Sequence, residues 1–214
     1  MKRSLQQTLL AEKIGKKPDE VPDILLQLLA ETTPQRIKNN PQFNLEELGV
    51  TAAELEEWFA AFARGAQYVY EKYGVIFEGM YVGRAITSPG NQETDNAVLY
   101  DANNDLVAIT RRYVANEIKH TRGHGAIFGT ANTDHEKQFT GLELATLVGV
   151  EEAFHAYQFK VLGHQYSDDD KNGLNDLAAI KNNDEHYATN AIEKDARDVI
   201  RQAIKDFGFG GRAK

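Results

Sequence analysis

Glu151-Glu152-Ala153-Phe154-His155-Ala156-Tyr157-Gln158 is the stretch that decides how this chain is read. It follows a run rich in Leu, Val and Ala that includes Leu142, Leu144, Leu147, Val148 and Val150. That composition predicts a helix over 142–162, apolar on most sides and therefore buried. Glu151, Glu152 and His155 then lie where an ionisable group costs several kcal/mol unless it is paired, hydrogen-bonded or bound to metal. Something has to compensate them, so a site is expected here. Residues four apart share a helix face, so Glu151 and His155 point the same way, as two ligands of one ion must. Glu152 is turned from that face by about 100°.

Downstream, a polar loop spans 167–175, and a last helix is expected over 190–206, followed by a Gly-rich tail that should fray. That helix carries Asn190-Ala191-Ile192-Glu193-Lys194-Asp195-Ala196. Glu193 is the best candidate for a third ligand, and the small Ala196 would let two site-bearing helices approach closely. Glu193-Lys194-Asp195 also reads as a solvated face laced with local ion pairs.

Upstream, the period changes. Val75-Ile76-Phe77 and Met80-Tyr81-Val82 are strand-like, and 97–100 and 106–109 flank the turn-rich Asp101-Ala102-Asn103-Asn104-Asp105, which predicts a hairpin. Residues 111–118 read as a continuation of that strand or the start of another, and 123–129 as a loop. The first third is helical. Leu5, Leu9, Leu10 and Ile14 recur at helical spacing up to Gly15, and a short apolar helix follows Pro22. Thr51 with Glu54 forms a capping box that opens a long helix with Leu55, Trp58, Phe59, Phe62, Tyr68 and Val69 on its apolar face, stopped by Gly74. No internal repeat or low-complexity segment is evident.

Bulk properties narrow the function classes. The 214 residues suit one domain, or a domain with a helical extension, and 42% hydrophobic residues suffice for a core. A net charge of -8 and a pI near 5.3 argue against a nucleic-acid or anionic-membrane surface. With no cysteine, disulfides and thiolate metal sites are excluded. No run is long enough to span a membrane, and Glu12 and Lys13 interrupt the first apolar run, so no signal peptide is expected and a cytoplasmic location is.

The segment at 151–158 resembles the zinc helix of the gluzincins, metallopeptidases with an HExxH helix and a downstream glutamate ligand. His155-Ala156-Tyr157-Gln158 follows the second half of the pattern, Glu193-x-x-Ala196 resembles the ligand helix, and the order of strands, site helix, loop and ligand helix matches. The resemblance covers 75–206. It implies an α+β fold: an N-terminal helical subdomain over 1–74, then a zincin-like domain over 75–214 with a small, partly antiparallel sheet packed on the site helix and the C-terminal helix. It implies Glu152 as general base, and His155 and Glu193 as metal ligands. Apart from the resemblance, His186 and Tyr187 lie shortly before Glu193, where they could help stabilise an oxyanion, and Tyr157 is a further candidate for a transition-state or supporting role. Glu151 stands where the family has its first histidine. A Glu-His-Glu site is harder and more anionic than His-His-Glu, which moves preference from Zn²⁺ toward Mn²⁺ or Mg²⁺. The same charge weakens the ion as a Lewis acid.

Two outcomes stay open at this level: a metal-dependent peptide hydrolase, and an inactive relative without metal that binds a peptide or protein partner or acts as a scaffold. A third reading uses a second ExxH, Glu117-Ile118-Lys119-His120, as half of a di-metal carboxylate set. It ranks low because the surroundings of Glu117 favour strand and loop. Asp168-x-Asp170-x-Asn172-Gly173 begins like a calcium loop, but Ala179 stands where the bidentate acid belongs. His124, His135 and His164 are expected in loops or at the surface.

Overall fold

The computed structural model describes residues 4–87, 93–122, 126–127, 138–164 and 191–210. Helices α1 (Leu5–Lys13), α2 (Asp23–Glu31), α3 (Pro34–Asn39), α4 (Leu45–Leu48) and α5 (Ala52–Tyr73) form the first third, with a 3-10 turn at Pro18–Glu20. Strands β1 (Gly79–Gly83), β2 (Ile86–Thr87), β3 (Glu93–Thr94), β4 (Val98–Asp101) and β5 (Leu106–Thr110) follow. Next come α6 (Arg111–Thr121), β6 (Ala126–Ile127), β7 (Gln138–Phe139), α7 (Gly141–Lys160) and α8 (Ala191–Phe207). The chain is a mixed α+β protein, and buried residues from Leu10 to Ile204 make one hydrophobic cluster.

The centre of that cluster is the crossing of α5 and α7. Thr51 and Glu54 cap α5 reciprocally, and Thr140 and Glu143 do the same for α7, so both helices start with satisfied backbone donors. Trp58, Phe59 and Phe62 of α5 are fully buried; the Trp58 ring stacks on Phe62 and meets Phe59 edge-on. At the crossing itself neither helix has a side chain. A Cβ on Gly65 would lie 1.9 Å from the Thr146 carbonyl oxygen, and one on Gly149 would lie 2.0 Å from that of Phe62. The two backbones therefore touch, and Glu151 lies only two residues beyond the contact.

A three-stranded sheet in the order β1-β5-β4 covers one side. The expected hairpin is present: β4 and β5 pair antiparallel, Val98 opposite Ile109 and Asp101 opposite Leu106. Its turn is held by Asp101, whose carboxylate accepts the Asn103 and Asn104 N–H groups, and ends on Asp105 at φ 48°. Asp105 joins three elements. Its carbonyl accepts the Glu78 and Gly79 N–H groups at 3.0 Å, and its carboxylate accepts the Tyr100 hydroxyl at 2.8 Å and Lys160 Nζ at 2.5 Å. The entry to β1 and the end of α7 are thus tied to one turn. β1 runs parallel to β5, in register from Gly79–Leu106 to Gly83–Thr110. Val75-Ile76-Phe77 is not strand; Phe77 is a fully buried plug ahead of β1.

The sequence expectation of a strand over 111–118 is overturned, because this segment is helix α6. Thr110 ends the strand and starts the helix at once. Its hydroxyl accepts the Tyr113 N–H as an N-cap and also bonds the Ala97 backbone across the hairpin. Val114 and Ala115 are buried and Ile118 packs against the same core, which is helical rather than alternating spacing. The tail differs too. Gly208, at φ 69°, closes α8 with Gly208 N–H bonded to Lys205 O and Phe209 N–H to Ile204 O, a Schellman closure, and the Phe207 and Phe209 rings stack. Leu10 of α1 and Ile14 at its C-cap are buried, but Leu5 and Leu9 face outward.

Arg122 at the end of α6 donates to both carboxylate oxygens of Glu54, at 2.9 and 2.8 Å, which fastens α6 to the first turn of α5. These bonds, with those from Thr51, hold the Glu54 carboxyl at a pKa of about 2 against an ordinary 4.5. A depressed folded pKa stabilises the fold above the unfolded value and ceases to do so as pH falls through the folded one. Stability should therefore drop between pH 4.5 and about 2, by on the order of 1 kcal/mol from this group after solvent screening. Urea denaturation across that range should show a shallower acid slope in Arg122→Met than in the parent chain.

Candidate functional site

Three helices frame the region: α7, with α8 and α6 packed against it. On α7, Glu152 is buried and Glu151 and His155 are half-buried, in a helix whose residues 144–150 are all buried. Glu151, His155 and Gln158 form one stripe at i, i+4 and i+7. Gln158 is completely buried. Its Nε2 donates to the Ile192 carbonyl of α8 at 2.8 Å, and its Oε1 lies 2.8 Å from His155 Nδ1. The stripe is therefore turned toward α8, and the residue after Ile192 is Glu193. The side chain of Glu193 lies outside the described residues, as do His186, Tyr187, the 167–175 loop with its calcium-like start, His124 and His135. In the expected loop over 123–129, the described Ala126–Ile127 pairs antiparallel with Gln138–Phe139.

The third helix is α6. Tyr113 is pushed well above the ordinary tyrosine range, by burial first and then by the carboxylates of Glu117, Glu151 and Glu152. One phenol thus feels the acids of two helices, and it remains neutral at physiological pH. Burial also raises Glu117, against the pull of nearby His120. The Tyr113 ring meets Trp58 edge-on at 6.4 Å, which anchors it on the apolar face of α5. Asn116, Glu117, Lys119 and His120 line an open hollow of about 580 Å³ along α6.

Tyr157 stands apart from this group. Its ring packs on Tyr73 at 4.6 Å and on Phe154 at 5.6 Å, and two residues of helix separate its direction from that of His155. His164 is half-buried just beyond α7, its N–H bonded to Gln158 O. Among the described residues, no three of His, Asp and Glu gather as a metal-holding group. Glu151 and His155 place a carboxylate and an imidazole one turn apart on one face of α7.

Because α6 is a helix, the objection that placed Glu117 and His120 on a strand no longer holds. The di-metal reading still lacks a partner on α5, where none of the buried side chains is Asp, Glu or His. Tyr113 and Gln158 are the residues that sequence reasoning passed over as members of the site. Tyr113 would have followed from reading 111–121 as helix, since it lies four residues before Glu117. Gln158 stood in the quoted stretch, but only its bond to a residue far along the chain gives it a role.

Comparison with family models, with curated proteins and with solved structures finds no match to this chain. Among the described residues, no helix is long and apolar enough to cross a membrane.

Proposed function

We propose that this chain is a metallopeptidase-like protein of the gluzincin type, in which Glu151, His155 and Glu193 hold one divalent ion beside Glu152. The observation that carries the reading is the Gln158 bridge: one buried amide touches His155 and the backbone residue just before Glu193, although the two acidic and basic candidates are far apart in sequence. The donor chemistry fits an ion, with one imidazole and two carboxylates, and favours Mn²⁺ or Mg²⁺ more than a two-histidine site would. When bound, the ion supplies Lewis acidity toward a peptide carbonyl.

The chain's own groups have separable roles. Glu152, buried and offset from the ligand face, takes the proton of an attacking water and delivers it to the leaving amine. Tyr113 keeps its proton over the physiological range and so retains an O–H to donate where negative charge develops. The hollow along α6 offers a peptide a place to lie against Glu117 and His120. In the second reading, the inactive relative, the same hollow binds a peptide or protein partner and the extra carboxylate replaces catalysis with binding.

Elemental analysis of the full chain, purified without chelator, tests this. One equivalent of a divalent metal is expected in the parent chain and none in Glu193→Gln. A metal-free chain whose melting temperature ignores added Mn²⁺ and Zn²⁺ would overturn the metal site. Specific binding at about 100-fold over Kd must add about 2.7 kcal/mol to native stability.

A further inference from the structure

We propose that the hollow between α1, α5 and the end of α8 binds a free α-amino acid with an apolar side chain, its carboxylate on Arg64 and its ammonium on Glu12. Three pieces of chain build this hollow of about 520 Å³. Gly15, at φ 73°, turns the chain after α1, with its N–H on Glu12 O and the Lys16 N–H on Ala11 O, and residues 12–16 form one wall. Arg64, Tyr68 and Glu71 come from one face of α5, at i, i+4 and i+7. Phe207, the last residue of α8, supplies the third wall. Glu193 lies at the other end of that helix, so the hollow shares no residue with the proposed metal site.

The charges decide the ligand. Lys13 pairs with Glu56, and Lys16 reaches both carboxylate oxygens of Glu71, at 2.7 and 2.9 Å. Glu71 also accepts Gln67 Nε2 at 2.9 Å. Two charges of opposite sign are left over. Among the described residues, neither Arg64 nor Glu12 makes a side-chain hydrogen bond or an ion pair, and the two do not reach each other. The Arg64 guanidinium lies over the Phe207 ring, 4.9 Å from its centre, a contact that leaves its N–H groups for a planar carboxylate. That ring is itself fixed: Tyr68 packs on it at 5.2 Å, Phe209 stacks on it, and the Tyr68 hydroxyl donates to Asp206 at 2.6 Å. An anchor held in this way lowers the ordering cost of binding. A bare anion meets the repulsion of Glu12 and a bare cation that of Arg64, whereas a zwitterion satisfies both. Tyr68, Phe207 and the buried Ile14 offer apolar surface for its side chain. The space over Gly15 is open, since a Cβ there would meet nothing within 4 Å.

The test is an NMR titration of the ¹⁵N-labelled full chain with L-leucine, read at the Gly15 and Lys16 amides. Saturable one-site shifts are expected, with Kd on the order of 1 mM, ordinary for a ligand of this size. Leucinamide lacks the carboxylate and N-acetyl-L-leucine lacks the ammonium, and each should bind ~10-fold more weakly, the loss of one charge-assisted hydrogen bond. Arg64→Met should weaken leucine by a similar factor and leave leucinamide as it was. Glu12→Gln should weaken leucine and leave N-acetyl-L-leucine as it was. Both residues are exposed, so both variants should keep the parent spectrum elsewhere. Shifts that never saturate overturn the proposal, and so does leucine bound equally well by both variants. N-acetyl-L-leucine that binds as tightly as leucine also overturns it, because the hollow would then be a plain carboxylate site. The metal content of the chain enters none of these outcomes, so this inference and the metal reading fail separately.

Discussion

Gly149→Ala is expected to destabilise this protein by about 3 kcal/mol or more, the upper end for forcing extra volume into a packed core. Helix propensity alone predicts the opposite sign, since alanine in place of a mid-helix glycine gains about 1 kcal/mol. Geometry decides which effect wins. The new methyl would lie 2.0 Å from the Phe62 carbonyl oxygen and 2.9 Å from its carbon, and both are backbone atoms that no rotamer change can move. Relief requires α5 and α7 to separate by roughly 1 Å, and dispersion attraction falls off steeply over such a gap along the whole contact. Gly65→Ala should behave alike, with its methyl 1.9 Å from Thr146 O. Because both act on one crossing, the double variant should cost less than the two single losses together. Urea midpoints measure all three. A Gly149→Ala chain as stable as the parent would mean that the helices do not meet backbone to backbone.

The second large effect concerns affinity. Glu151→His should raise zinc affinity by at least ~100-fold, since replacing a ligand should exceed the 10–100-fold that supporting hydrogen bonds command. Position 151 lies one helical turn before His155 on the same half-buried face, so an imidazole there would project toward any ion that His155 holds in the proposed site. It exchanges a hard anionic donor for one suited to Zn²⁺, and it lowers the negative charge that the neighbouring acids share. Titration with zinc against a competing chelator checks the affinity. No gain in Glu151→His would show that positions 151 and 155 do not address one ion with Glu193.

Much of the local structure could be read directly. The apolar run before Glu151 marked a buried helix because no amphipathic face was left for water, and α7 is that helix. Thr51 with Glu54 marked the start of α5, and the turn residues at 101–105 marked the β4–β5 hairpin, since each signal depends on residues within a few positions. Helix α6 escaped because Val114 and Ile118 are common in strands as well. The deciding feature is a cap on Thr110 that is also engaged across the hairpin.

The sequence by itself determined an acidic, cysteine-free α+β chain whose longest apolar helix carries a carboxylate pair and an imidazole, because composition and helical periodicity are local properties. Only the tertiary structure decided what those groups meet. The parallel pairing of β1 with β5, the contact of Gly65 with Thr146, and the reach of Gln158 to Ile192 join residues distant along the chain. Such contacts arise from the mutual packing of whole elements, where sub-ångström fit and paired donors and acceptors choose the partner, and no short window of residues encodes that choice.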